Sequence, residues 1–192
     1  MKKLTAILFT TLSLLFAMSA SAAEKYIIDT KGAHASINFK IKHLGYSWLT
    51  GRFNDFDGEF SIDRDNLEKS SIIVNIDPAS VDSNHAERDK HLRSDDFLDV
   101  EKFKQANFVS TAIEKTGEDT AIVHGDLTLH GVTKKIAIDS KLTGEGKDPW
   151  GGYRIGFEGT TKIALKDFNI EKDLGPASTE VDLHLYIEGI RQ

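Results

Sequence analysis

The chain contains no cysteine among its 192 residues, and that absence closes three routes at once. Disulfide staples, a thiol nucleophile and a lipid anchor on an N-terminal cysteine are all excluded. A domain of this size can build its core without such staples, and a cysteine-free chain is compatible with an oxidising compartment. There is no Gly-x-Ser-x-Gly elbow either, which removes the usual serine-hydrolase nucleophile. With only three prolines, and no stretch rich in Gly, Pro or Ser, nothing divides the chain, and no internal repeat is visible. One domain is therefore expected. Positive charge is also in deficit, with 24 Lys and Arg against 30 Asp and Glu for a net −6. That balance argues against nucleic acid as a partner and against electrostatic docking on anionic lipid head groups.

Long hydrophobic runs are scarce, and the one present is N-terminal. Lys2 and Lys3 precede an apolar run from Leu4 to Met18, which leads into Ala20-Ser-Ala22. A positive start, an apolar centre and small residues at the end make an export signal. The run is short for a bilayer span, which needs ~20 residues. The expectation is a signal peptide at 1–22, a mature domain at 23–192 and a periplasmic location. Loss of Lys2 and Lys3 leaves 22 basic against 30 acidic residues, a net charge of −8.

What is abundant is period-two alternation, the signature of half-buried strands. Ile37, Phe39 and Ile41 share a face opposite Asn38, Lys40 and Lys42. Phe56, Phe60 and Ile62 line up with Gly58 between them, and Phe53 is out of phase, which predicts a bulge or bend near Asn54-Asp55. Ile72-Val74-Ile76, Leu127-Leu129, Ile136-Ile138, Ile155-Phe157 and Val181-Leu183-Leu185-Ile187 continue the pattern. Gly131-Val-Thr133 reads as a hairpin turn. About eight antiparallel strands with one apolar face each can bury it as a sandwich or as a closed barrel, and periodicity does not choose. Nine phenylalanines remain in the mature chain. An aromatic core is the simplest account of them.

One segment breaks the alternation. Asn84-His-Ala-Glu-Arg-Asp-Lys-His-Leu-Arg-Ser-Asp-Asp-Phe97 is dense in charge, with Asn84 and Glu87 placed as an N-cap and its carboxylate, and Ser94 placed to open a second turn. The order Asn-x-x-x-Arg-Asp-x-His-Leu-Arg-Ser-x-Asp-Phe resembles the signature of the YceI-like family of lipid-binding proteins. Asp126 to Lys134, Asp148-Pro-Trp-Gly-Gly152 with Gly156-Phe-Glu158, and Lys166-Asp-Phe-Asn169 carry the resemblance across the mature chain. Lys135, Lys166 and Asn169 depart from the family pattern, all in expected turns. The resemblance implies an all-β, antiparallel, lipocalin-like β-barrel of about eight strands with a short helical insert at about 84–103.

The same resemblance implies a tunnel for an isoprenoid lipid, a polyprenyl phosphate or a quinone-like molecule, with no cofactor and no metal. Inward residues are then candidates for its lining: Ile37, Phe39, Ile41, Phe53, Phe56, Phe60, Phe97, Phe108, Leu127, Leu129, Phe157, Phe168 and Leu183. Arg88, His91, Arg93, Asp96 and Arg154 form a candidate polar cluster that either closes the barrel or holds a head group. Acidic neighbours of the arginines favour closure, with Arg93 set against Asp95 and Asp96. Trp150 beside Arg154, and Leu44-Gly-Tyr-Ser-Trp-Leu49, read as apolar connections near a mouth, serving as packing, lid or membrane-touching patch. Transient membrane contact and a homodimer stay open.

Other chemistry has weaker support. His34, His43, His85, His91, His124, His130 and His184 are scattered, without a His-x-x-x-His or His-x-His pair, so surface or hydrogen-bonded histidine is the simpler reading. Ser94, His91 and Asp95 lie on one turn, where three groups rarely converge on one point. The expected function is a binding or carrier protein without enzymatic activity. The alternatives are an enzyme of isoprenoid or quinone metabolism using His91, Arg93 and Asp96, and a haem- or metal-binding barrel.

Overall fold

The computed structural model describes residues 23–192, so the expected leader at 1–22 lies outside the described residues. The strands are β1 (Glu24–Ile28), β2 (Ser36–His43), β3 (Ser47–Phe53), β4 (Phe56–Ile62), β5 (Ser71–Ile76), β6 (Val81–Asp82), β7 (Ala106–Lys115), β8 (Thr120–Leu129), β9 (Val132–Lys147), β10 (Tyr153–Ala164) and β11 (Glu180–Arg191). They run up and down in one antiparallel sheet, and β1 pairs with β11 to close it, Tyr26 opposite Arg191. Closure answers the sandwich-or-barrel question in favour of the barrel. Three of its eight staves are interrupted: β1 continues as β2 along the other half of β11, β3 continues as β4, and β5 as β6.

The interruptions have local causes. Asn54-Asp55 breaks the second stave where Phe53 falls out of phase, as the alternation predicts, and the third stave breaks beside it at Pro78–Ser80. The two breaks are pinned together, because the Asp55 amide donates to Ser80 Oγ (2.9 Å) and the Asp77 amide to the Asp55 carbonyl (3.0 Å). A shared corner lets both staves bend without leaving orphaned amides.

The β8–β9 hairpin turns one residue earlier than expected. His130 (φ 50°) and Gly131 (φ 72°) are its two central residues, with Leu129 opposite Val132. Positive φ at both positions is the geometry that matches the right-handed twist of a tight hairpin.

Up-and-down order assigns each connection to an end. The β4–β5 loop, the β7–β8 turn and the β9–β10 turn share one end, while the 83–105 insert and the β10–β11 connection share the other. The insert holds one helix, α1 (Ala86–Arg93). Its N-cap is His85, whose Nδ1 accepts from the Arg88 amide (3.2 Å), and not Asn84. Asn84 sits at φ 60°, outside the extended region that a capping residue needs and that His85 occupies. Ser94 does open a second turn, accepting from the amides of Phe97 (3.1 Å) and Asp99 (2.8 Å). α1 buries no residue of its own. The plug at this end is made instead by Phe97, just past the helix, and by Phe168 and Ile170 of the β10–β11 connection, all buried.

Candidate functional site

Inside the barrel lies a cavity of about 840 Å³, within the ~300–1,000 Å³ range of small-molecule sites. Its wall follows from the alternation: each strand turns every second residue inward, and most of those residues are apolar. Ile72, Val74 and Ile76 of β5, Ile136 and Ile138 of β9, and Leu185 and Ile187 of β11 face it. Phenylalanine rings lie across neighbouring strands where those strands carry glycine. A methyl group on Gly125 would meet the Phe108 ring at 2.3 Å, and one on Gly189 would meet Phe60 at 2.4 Å. Glycine here makes room for an inward ring. Charged groups gather at the mouth, where Arg64, Asp65 and Glu68 of the β4–β5 loop join Glu118 and Asp119 of the β7–β8 turn in the lining.

Of the expected lining residues, Ile37, Phe60, Phe108, Leu127, Phe157 and Leu183 border this cavity. Seven do not. Phe56, Phe97 and Phe168 are buried in solid packing, and Phe53 and Leu129 pack partly buried against the same core. Phe39 and Ile41 stand on the part of β2 beyond the cavity, where Phe39 packs on Phe53 at 5.9 Å between centroids. Facing inward differs from facing a ligand, because a barrel end closed by its own insert is filled with side chains. The aliphatic lining was present in the alternation but carried no aromatic mark. Nothing in the sequence singled out Arg64.

The expected polar cluster divides in two, and none of its five residues borders the cavity. At the plugged end Asp96 accepts from Lys172 and pairs with His91, both at 2.7 Å, and not with Arg93. Those two partners hold the Asp96 carboxyl below its usual range. Arg93 donates to the Val81 carbonyl (3.4 Å), and Arg88 to Ser83 Oγ (2.7 Å) and the Ser83 carbonyl (2.6 Å). Asp89 accepts from the same serine's amide (2.7 Å) and hydroxyl, so Arg88 and Asp89 grip Ser83 from both sides.

Arg154 belongs to a separate network on the outer wall, since its neighbour Ile155 points inward. Its Nη1 donates to Asp29 Oδ2 (2.7 Å) and Glu188 Oε1 (2.5 Å), and its Nε to Asp148 Oδ2 (3.0 Å). Arg154 and then His34 hold the Asp29 carboxyl down at about 2. Burial pushes Asp148 up, but the amides of Gly152 and Trp150 and the Arg154 guanidinium outweigh it, and the carboxyl ends below its usual range. Asp29, His34 and Glu188 are close enough to share a metal ion, yet the Arg154 guanidinium already supplies the cation between the two carboxylates. Trp150 is exposed beside this arginine, 5.5 Å from it. Leu44, Tyr46 and Trp48 are exposed on the β2–β3 hairpin, at the end of the barrel away from the mouth, with Lys40 over the Trp48 ring at 4.7 Å.

Comparison with known proteins places this geometry. The family model for the YceI-like domain matches residues 26–189. A UPF0312 protein of Azotobacter vinelandii is 59% identical over 192 residues, covering all of both chains. Another from Ectopseudomonas mendocina is 62% identical over 180 residues, 94% of each. Among solved structures, BcnA of Burkholderia cenocepacia superposes with a TM-score of 0.75 at 23% identity, covering 84% of this chain and 98% of that one. A Campylobacter jejuni YceI protein gives 0.71 at 30% identity over 79% and 90%. A polyisoprenoid binding domain from Saccharophagus degradans, implicated in plant cell wall breakdown, gives 0.67 at 19% identity over 87% and 98%.

Proposed function

We propose that this chain, which belongs to the YceI-like family, is an exported binding protein that holds the tail of an isoprenoid lipid in its barrel and releases it unchanged. The observation that carries this reading is the largely apolar cavity of about 840 Å³, with its charged groups gathered at the mouth. Such a space suits an apolar chain with a polar head left outside. The Saccharophagus degradans domain, described as binding polyisoprenoid, has the same fold and supports the choice of ligand class.

The energetics favour carriage over storage. Moving an apolar chain out of water gains about 0.8 kcal/mol per methylene. A lipid drawn from a bilayer is already out of water, so its transfer into a dry cavity is near neutral and reversible. The leader-like start of the sequence supports a periplasmic location, and among the described residues no helix is long and apolar enough to cross a membrane. The enzymatic alternative draws less support, because His91, Arg93 and Asp96 stand at the plugged end, away from the cavity.

The test is displacement of N-phenylnaphthylamine from delipidated protein by polyprenyl quinone, polyprenyl phosphate and palmitate. Displacement by the prenyl compounds at one per chain, with palmitate weaker, is expected. Palmitate displacing the dye as well as the prenyl lipids would remove the isoprenoid part of the proposal.

A further inference from the structure

The β4–β5 loop spans 63–70 and forms one side of the cavity mouth, with Asp65, Asn66, Leu67 and Glu68 among the lining. It is braced as one piece. Asp63 Oδ1 accepts from the amides of Asp65 (3.1 Å) and Asn66 (2.9 Å), Asn66 Oδ1 from the Glu68 amide (3.1 Å), and the Asp63 amide donates to Ser70 Oγ (2.9 Å). Asp63 and Ser70, where the loop joins the barrel, are buried, so the base is fixed while the tip is carried as a unit.

One side chain of the loop, next to Asp63, reaches across the mouth. Arg64 reaches Glu145 on β9, across the barrel, through Nη1 (3.0 Å) and Nη2 (2.5 Å), and is steadied by Glu24 on the neighbouring β1, opposite Ile62, through Nε and Nη2 (both 3.3 Å). The carboxylates are held for it. Glu24 also accepts from the Tyr26 hydroxyl (2.8 Å) and from Arg191 (2.9 Å), and Tyr26 is completely buried. Burial first and Glu24 second push the Tyr26 phenol up to about 12, so it stays a donor. The Arg64 contacts themselves remain partly solvated, with its side chain 46% exposed. A two-point guanidinium–carboxylate contact fixes geometry, while water access keeps it easy to break. The far end of the barrel is filled by Phe97 and Phe168, which leaves this side for passage.

We propose that the β4–β5 loop is the door of the cavity and that Arg64, held in place by Glu24 and closing on Glu145 across the mouth, is its latch. The proposal rests on the cavity being the ligand site and adds how a ligand passes in and out. Because the latch holds the empty and the filled barrel shut alike, it sets the rate of exchange.

The absence of cysteine allows a direct test. In Arg64→Cys/Glu145→Cys, a short bifunctional methanethiosulfonate bridges the two positions, and a reductant releases them. Stopped-flow mixing with N-phenylnaphthylamine then reads uptake, and dilution reads release. The unbridged variant, and Arg64→Gln alone, should show both rates raised together by about two- to fivefold over the natural protein. Bridging should slow both to below the natural rates, and reductant should restore them. Dye that binds but enters the bridged protein as fast as the unbridged one overturns the latch and leaves the cavity assignment standing. Dye that binds no form of the protein overturns both.

Discussion

Replacing Phe157 and Phe168 separately by alanine should give two quite different losses of stability, although both are phenylalanines of the same barrel. Phe168 is 1% exposed and surrounded on all sides, and its backbone carbonyl accepts from His130 Nδ1 (2.9 Å). Removing its ring leaves a new void in close-packed surroundings, which costs about 3–5 kcal/mol. Phe157 meets Phe60 edge-on at 5.9 Å on one side, while its other side borders the cavity. A ring that borders empty space has no partner atoms there to lose. About half the contact disappears, so the expected cost is about 1.5–2.5 kcal/mol. At about 2–4 °C per kcal/mol for a domain of this size, the variants should separate by several degrees in melting temperature. Urea unfolding of delipidated protein at neutral pH gives both free energies. Full ligand saturation should widen the gap between Phe157→Ala and the natural protein, since only that ring would touch ligand. Equal losses of 3–5 kcal/mol at both sites, unaffected by ligand, would mean the barrel is solid and the reasoning fails.

The polar networks and the leader give further expected outcomes. Arg154→Leu should lower the melting temperature at pH 7, because it strands the carboxylates of Asp29 and Asp148 without their cation. Asp29 is held at about 2 against an ordinary 3.8, so its contribution is complete above about pH 4 and drains as pH falls towards 2. Melting curves across that window should slope steeply for the natural protein and less for Arg154→Leu; identical slopes would dismiss this network as the cause. Arg88→Ala should destabilise more than Arg93→Ala, by about 1 kcal/mol on the same urea assay, since Arg88 makes two short contacts to Ser83 and Arg93 one long contact. Intact-mass analysis of exported protein should show an N-terminus at Ala23 or Glu24, and retention of residues 1–22 would refute cleavage.

Alternation made most of the staves legible, because every second residue of a barrel strand must be apolar whatever the ligand. It located even the break at Asn54-Asp55, through the phase of Phe53. Closure was not legible, since it depends on Tyr26 meeting Arg191 across almost the whole chain, and no local pattern encodes that pairing. The Asn84 cap misled because Asn tolerates both capping and left-handed backbone, and only the three-dimensional path gave the cap to His85. At the site, choosing phenylalanines over aliphatics favoured residues that fill the plugged end, such as Phe97 and Phe168, over Ile72, Val74 and Ile138, which line the void. Nothing in the sequence separates Arg154 from the charged residues of the helical insert. Its strand register turns it outward, on the far side of the wall from Ile155. Arg64 was invisible because its role depends on where a loop lands, which spacing does not report.

The central claim is that the barrel carries an isoprenoid lipid, and native mass spectrometry of the protein purified from its own cells tests it most directly. The account predicts the mass of the mature chain plus one additional species per chain, which after organic extraction fragments in steps of isoprene units. A bare mature mass under gentle conditions, or an extracted species with no isoprene series, would contradict it.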